Sequence, residues 1–316
     1  MTQSHTSPRF TGVVPPVVTP FTPEGEVDHE SLAGVVEMLI TGGVAGLFAL
    51  GSTGETAYLT EAQRVAVLET IVRANAGRVP VIAGAIELTA PRIIETAQKL
   101  VAAGADAIVT TAPLYTLNSQ AEIGRHFRLI AAAIDAPLWA YDVPVRVHTK
   151  LSIELLLDLA ADGVIHGLKD SSGDDVAFRR LVAANRAAGS PLQLLTGHEL
   201  VVDAMLLAGA DGVVPGFANV DVEGYVRLFE AAARGDFDAA RDAQERLNER
   251  FELVFAPRGY SGDAMGVGAF KVAMQARGFI AHAGMAVTVE PLAADAIAEV
   301  RAIAERTGLA AAPARA

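Results

Sequence analysis

Val164-Ile165-His166-Gly167-Leu168-Lys169-Asp170 is an apolar run that closes on the turn residues Ser171-Ser172-Gly173. A run of that length between such residues reads as a buried strand ending at a turn. Outward from it the same alternation recurs. Short β-branched runs at 12–18, 46–50, 80–85, 107–111, 137–142, 193–196 and 212–215 read as strands. Amphipathic patterns at 61–76, 89–103, 120–134, 153–161, 174–188 and 200–208 read as helices between them. Eight strands, each followed by a helix, within the first 220 or so residues match a (β/α)8 barrel of ~250 residues. The competing doubly wound sheet announces a Gly-rich nucleotide loop after its first strand, whereas this first strand runs into Pro15-Pro16.

An internal echo supports the ring. Gly43-Val44-Ala45-Gly46-Leu47, Gly104-Ala105-Asp106-Ala107-Ile108 and Gly209-Ala210-Asp211-Gly212-Val213 share one form: a glycine ending a helix, a tight turn, a new strand. Beyond about residue 220 the strand signals stop, and 222–234, 237–254, 264–276 and 292–306 read as helices. The expected organisation is a catalytic barrel over 1–220, a helical extension over 221–309, and a frayed Ala/Pro-rich tail at 310–316.

Composition narrows the function classes. The net charge is −12, with acids and bases mixed rather than blocked, which argues against nucleic acid and anionic membrane surfaces and fits a soluble cytosolic protein. There is no cysteine, so disulfides, zinc-thiolate sites and thiol nucleophiles are excluded. Residues 1–10 lack an apolar signal region, and no stretch of about eighteen apolar residues escapes charge or glycine, so neither secretion nor a transmembrane helix is expected.

Barrel chemistry gathers at the C-terminal ends of the strands. The sixth ends in Lys169, one of four lysines against twenty-one arginines. Such an amine either lies buried and nucleophilic, able to form a Schiff base, or snorkels to solvent, and the run alone does not decide. The second strand ends in Gly51-Ser52-Thr53-Gly54-Glu55, a hydroxyl-bearing turn able to cradle a carboxylate or simply to cap a helix. The fourth brings Tyr115 and the fifth brings Tyr141, followed by Arg146. A phenol beside the amine is placed to shuttle protons, and a guanidinium is placed to clamp a carboxylate. Lys99, Lys150 and Lys271 read most simply as solvated. No histidine pattern completes a metal site, with His198-Glu199 lacking a second His, and no Gly-x-Ser-x-Gly elbow appears.

In Gly51-Ser52-Thr53-Gly54-Glu55, Tyr141-Asp142-Val143-Pro144 and Gly167-Leu168-Lys169-Asp170, the chain resembles the dihydrodipicolinate synthase / N-acetylneuraminate lyase family of class I aldolases, from Gly12 into the C-terminal helices. The resemblance implies a barrel in which Lys169 forms an imine with pyruvate or a related 2-oxo acid. Tyr141 acts as general acid/base, Ser52 and Thr53 hold the pyruvate carboxylate, and Val214 contacts pyruvate through its backbone. Thr53, Tyr141 and Tyr115 match the family's proton relay, whose last tyrosine comes from a neighbouring subunit. The resemblance therefore also implies a homo-oligomer, usually a dimer of dimers. No metal or organic cofactor is needed.

The second substrate is an aldehyde. In dihydrodipicolinate synthases an arginine matching Arg146 binds the carboxylate of aspartate semialdehyde. Asp142, Val147-His148, Asp170-Ser171 and Ser52 depart from that pattern toward aldolases and dehydratases of 2-keto-3-deoxy sugar acids, or a sialic acid lyase. Leu114 replaces a tyrosine of the lysine-binding pocket, so feedback by lysine is not expected. A silent paralogue that only binds a 2-oxo acid is the alternative outside catalysis.

Overall fold

The computed structural model describes residues 8–309, so the tail expected at 310–316 lies outside the described residues. Strands β1 (Gly12–Val13), β2 (Leu47–Ala49), β3 (Val81–Gly84), β4 (Ala107–Thr111), β5 (Leu138–Asp142), β6 (Gly167–Asp170), β7 (Gln193–Thr196) and β8 (Gly212–Val213) form one parallel sheet. Its order is β1-β8-β7-β6-β5-β4-β3-β2. The two ends meet through the backbone: Ala45 N–H donates to Val13 O at 2.8 Å, Phe48 N–H to Pro15 O at 3.0 Å, and Val17 N–H to Phe48 O at 2.9 Å. The sheet thus curls into the expected (β/α)8 barrel. The first strand is shorter than the 12–18 run, because Pro15 and Pro16 have no N–H to give a ladder, and the seam continues as the single bridge Pro16↔Phe48.

The repeated turn motif has a physical basis. Gly43, Gly104 and Gly209 take φ of 91°, 100° and 114°, where a side chain would strain the backbone. In two copies the following aspartate ties the new strand to the previous one. The Asp106 carboxylate accepts from Val81 N–H at 2.8 Å while Asp106 N–H donates to Val81 O at 2.9 Å. Asp211 does the same with Leu194, at 2.8 Å for each bond.

Side chains alternate along the strands, so Trp139 and Tyr141 face the barrel interior while Ala140 and Asp142 face away. Trp139 fills the lower barrel, meeting the Phe10 ring edge-on at 5.2 Å. Opposite it β6 begins with Gly167, where a Cβ would lie 2.3 Å from the indole. The interior is therefore packed below and open only above, where Tyr141 and Lys169 emerge.

Helix 222–233 (Val222–Ala233) packs against β1, and helices Phe237–Phe251, Gly262–Ala276 and Ala294–Arg306 follow it. Two helices that the pattern reading did not mark also appear: His29–Thr41, capped by the Asp28 carboxylate on Ser31 N–H at 3.0 Å, and the short Pro144–Val147. Among the described residues no helix is long and apolar enough to cross a membrane.

Two lysines that read as solvated are not. Lys271, on Gly262–Ala276, is fully buried; its ammonium donates to Glu55 Oε2 at 2.6 Å and to Gly284 O at 3.0 Å, and lies 4.4 Å from the centre of the Phe21 ring. Lys150 is half-buried between the buried carboxylates of Asp142 and Asp170. Lys271 meets Glu55 across 216 positions, and Lys150 reaches two neighbouring strand ends, neither of which a helix or strand period registers. Lys99 is exposed as expected, paired with Glu61 and Glu95.

Candidate active site

β5 and β6 run in register, with Tyr141 opposite Lys169. Lys169 is only 7% exposed, so its long side chain stays inside the barrel mouth instead of snorkelling out. Its amine lies 4.1 Å from the centre of the Tyr141 ring and 4.7 Å from that of Phe48. The two rings meet edge-on, 6.2 Å apart, forming an aromatic wall around the amine.

Tyr141 is itself buried, and burial alone would raise its pKa. The Lys169 charge and the polar groups of Ser52, Lys169 and Ser171 around the phenolic oxygen outweigh that, and hold the phenol below its ordinary value. A phenol made more acidic, touching the amine, is equipped to exchange protons with whatever forms there.

Ser52 and Thr53 sit in a turn with an unusual frame. It begins after Leu50, at φ 59°, and ends on Glu55, at φ 56°, both left-handed without being glycine. Each such residue costs about 1 kcal/mol or more, and surrounding contacts must hold it. Gly84 makes room on one side, since a Cβ there would lie 2.3 Å from Leu50 O. Inside the turn Gly54 N–H donates to Gly51 O and Glu55 N–H to Ser52 O, both at 3.0 Å, and Thr19 donates to Gly54 O at 2.8 Å. At the far end the Glu55 carboxylate takes Lys271 and, at 3.2 Å, Ala286 N–H. Burial raises the Glu55 pKa even though the Lys271 charge opposes it.

Val214 follows β8 at the same mouth, buried, its N–H donating to Thr196 O at 2.7 Å. Arg146 lies on Pro144–Val147 beyond β5, its guanidinium bonded to the Asp263 carboxylate. Tyr115 is the exception: its side chain is 86% exposed and does not enter the mouth of its own chain. Lys169, Tyr141, Ser52, Thr53, Val214 and Arg146 are therefore gathered at the C-terminal rim, and Tyr115 stands outside it.

Two residues at this rim escaped the sequence reading. Glu199 follows β7, and its Oε1 accepts from Phe217 N–H at 2.6 Å. A Cβ on Gly216 would lie 3.5 Å from that oxygen and 3.2 Å from Thr53 Oγ1, so the carboxylate and the Thr53 hydroxyl flank one glycine. Burial lifts Glu199 to about 7, against the pull of the Lys169 charge. The strand-end rule could have found it, had His198-Glu199 not been weighed only as a metal motif. Asp263 comes from the C-terminal helices, and no signal near the strands points to it.

Similarity to known proteins points to one family. Residues 9–307 match the dihydrodipicolinate synthetase family. A 4-hydroxy-tetrahydrodipicolinate synthase of Sorangium cellulosum is 38% identical over 252 residues, covering 78% of this chain and 81% of its own. One from Natronomonas pharaonis is 33% identical, covering 78% and 83%. Among solved structures, Escherichia coli K12 YagE, a prophage protein of the dihydrodipicolinic acid synthase family in complex with pyruvate, superposes with a TM-score of 0.88 at 28% identity, over 95% of this chain and 99% of its own.

Proposed function

Because the chain belongs to the dihydrodipicolinate synthetase family of lyases and aldolases, we propose that it joins or parts a 2-oxo acid, pyruvate in the first instance, and an aldehyde through an imine on Lys169. The observation that carries this reading is the buried Lys169 amine, set 4.1 Å from the centre of the Tyr141 ring and walled by two rings.

The neutral amine attacks the ketone carbon of pyruvate, whose carboxylate is received by Ser52 and Thr53 while the backbone at Val214 contacts the rest of the molecule. Tyr141 donates a proton to the carbinolamine oxygen, water leaves, and the protonated imine remains. That imine withdraws electrons, so C3 loses a proton to the Tyr141 phenolate and becomes an enamine carbon that attacks the aldehyde, whose oxygen takes up the proton. In reverse, the C3–C4 bond breaks and the aldehyde departs. Hydrolysis of the imine returns the amine and completes the cycle.

Tyr115 belongs to this relay only in an oligomer. Its 86% exposure supports a role in a neighbouring subunit's site, in a dimer or a dimer of dimers working in the cytoplasm.

Two aldehyde partners suit this chemistry. The name of the curated relatives points to aspartate semialdehyde, with Arg146 clamping its carboxylate. The bond between Arg146 and Asp263 favours a second reading, a 2-keto-3-deoxy sugar acid parted into pyruvate and an uncharged hydroxyaldehyde. Borohydride reduction in the presence of pyruvate tests the common core. Intact mass should rise by one reduced pyruvate per chain, mapped to Lys169. No adduct would leave a silent 2-oxo acid binder, and an adduct elsewhere would remove Lys169 from the mechanism.

A further inference from the structure

The Asp263 carboxylate holds the Arg146 guanidinium, the group that would clamp an anionic aldehyde. Its Oδ1 takes the Arg146 guanidinium and its Oδ2 accepts the Tyr58 hydroxyl at 2.9 Å, so both oxygens are occupied. Asp263 is largely buried, with 18% of its side chain exposed against 49% for Arg146. It lies in the first turn of Gly262–Ala276, whose N-cap is Ser261, and the helix dipole favours an anion there. One cavity of about 100 Å³ runs from Ser52 and Tyr141 past Thr56 to Tyr58, Arg146 and Asp263. The acid-binding turn, the proton-transfer phenol and this ion pair thus line a single space.

We propose that Asp263 is a specificity-determining residue, the built-in counter-ion of Arg146, which selects uncharged hydroxylated aldehydes over carboxylated ones. The inference rests on the imine chemistry proposed for Lys169. A substrate carboxylate approaching Arg146 meets a guanidinium already neutralised and a fixed negative charge beside it. To bind, it must displace Asp263, exchanging one ion pair for another while leaving the aspartate largely buried without its cation, which is costly. A hydroxyl faces no such exchange. It can donate to Asp263 or to the Tyr58 oxygen and accept from a remaining N–H of Arg146 while the pair remains intact.

The test pairs pyruvate with glyceraldehyde, with succinic semialdehyde and with aspartate semialdehyde, each rate expressed per site trapped by borohydride so that misfolded protein is not counted. The wild type should favour glyceraldehyde in kcat/KM. Asp263→Asn, with Asp263→Ala as a second removal of the charge, should raise kcat/KM for both semialdehydes at least ten-fold and lower it for glyceraldehyde. A wild type that favours the semialdehydes, or variants whose ratios do not move toward them, overturns the role of Asp263 while the pyruvate adduct still stands. Absence of the wild-type adduct removes the imine reading, and this inference with it.

Discussion

Lys271 donates to Glu55 at 2.6 Å across 216 positions of sequence, and both side chains are closed to solvent. The bond joins a C-terminal helix to the left-handed end of the turn that carries Ser52 and Thr53. A buried pair of this kind is no proof of extra stability, but removing one partner strands the other's charge.

Lys271→Met should therefore destabilise the protein by about 3–5 kcal/mol. Urea unfolding measures it. Adding Glu55→Gln to that variant should recover a large part of the loss. A double variant no more stable than the single one would show that packing, not charge, holds the contact.

Tyr141→Phe keeps the ring that borders Lys169 and removes only the hydroxyl. Turnover should fall by about 10²–10⁴-fold, the range for loss of a general acid/base, with KM for pyruvate changed far less. Steady-state kinetics on pyruvate, with the unfolding midpoint as a control, checks both expectations.

Asp142 carries a pH signature. Burial raises its pKa from 3.8 to about 6 despite its bond to Lys150. A carboxyl raised on folding contributes stability that is fully present below about 3.8 and lost as pH rises through about 6. The difference corresponds to about 3 kcal/mol. Asp142→Asn should remove this slope and leave Lys150 with Asp170, so the variant should match or exceed the wild type at pH 8. Unfolding measured from pH 4 to pH 8 gives the answer, and a parallel slope in both proteins would acquit Asp142.

Glu199, lifted to about 7 by burial, lies within electrostatic reach of Lys169. The rate of borohydride trapping with pyruvate should bend near pH 7 in the wild type, and Glu199→Gln should erase that bend. An unchanged profile would assign the inflection to another group.

The ring of strands was legible because its signals are local: β-branched runs, Gly-Ala-Asp turns and amphipathic periods each lie within a few residues. Lys169 and Tyr141 were legible for the same reason, as each ends a recognisable strand. Lys271, Lys150 and Asp263 were not, since their chemistry depends on partners brought together by the C-terminal helices or by neighbouring strand ends. Glu55 read as part of a carboxylate-binding turn, and only its partner, remote in sequence, shows that it anchors that turn from below. Tyr115 illustrates the complementary limit: its exposure is measured on one chain, while the role implied for it needs two.

Gly12 stands opposite Gly212 in the β1–β8 pair, and Asn219 fastens the same stretch by accepting Val18 N–H at 3.2 Å and donating to Pro16 O at 2.8 Å. The first strand of the ring is thus completed by its last. Until residue 213 emerges, one side of β1 has no partner and the N-terminal half is an open sheet with an exposed edge. At about 5–20 residues per second, synthesis of the intervening two hundred or so residues takes about 10–40 s. Closure of this barrel is therefore timed by translation, and the Gly12 edge is the part of the nascent chain most in need of shelter.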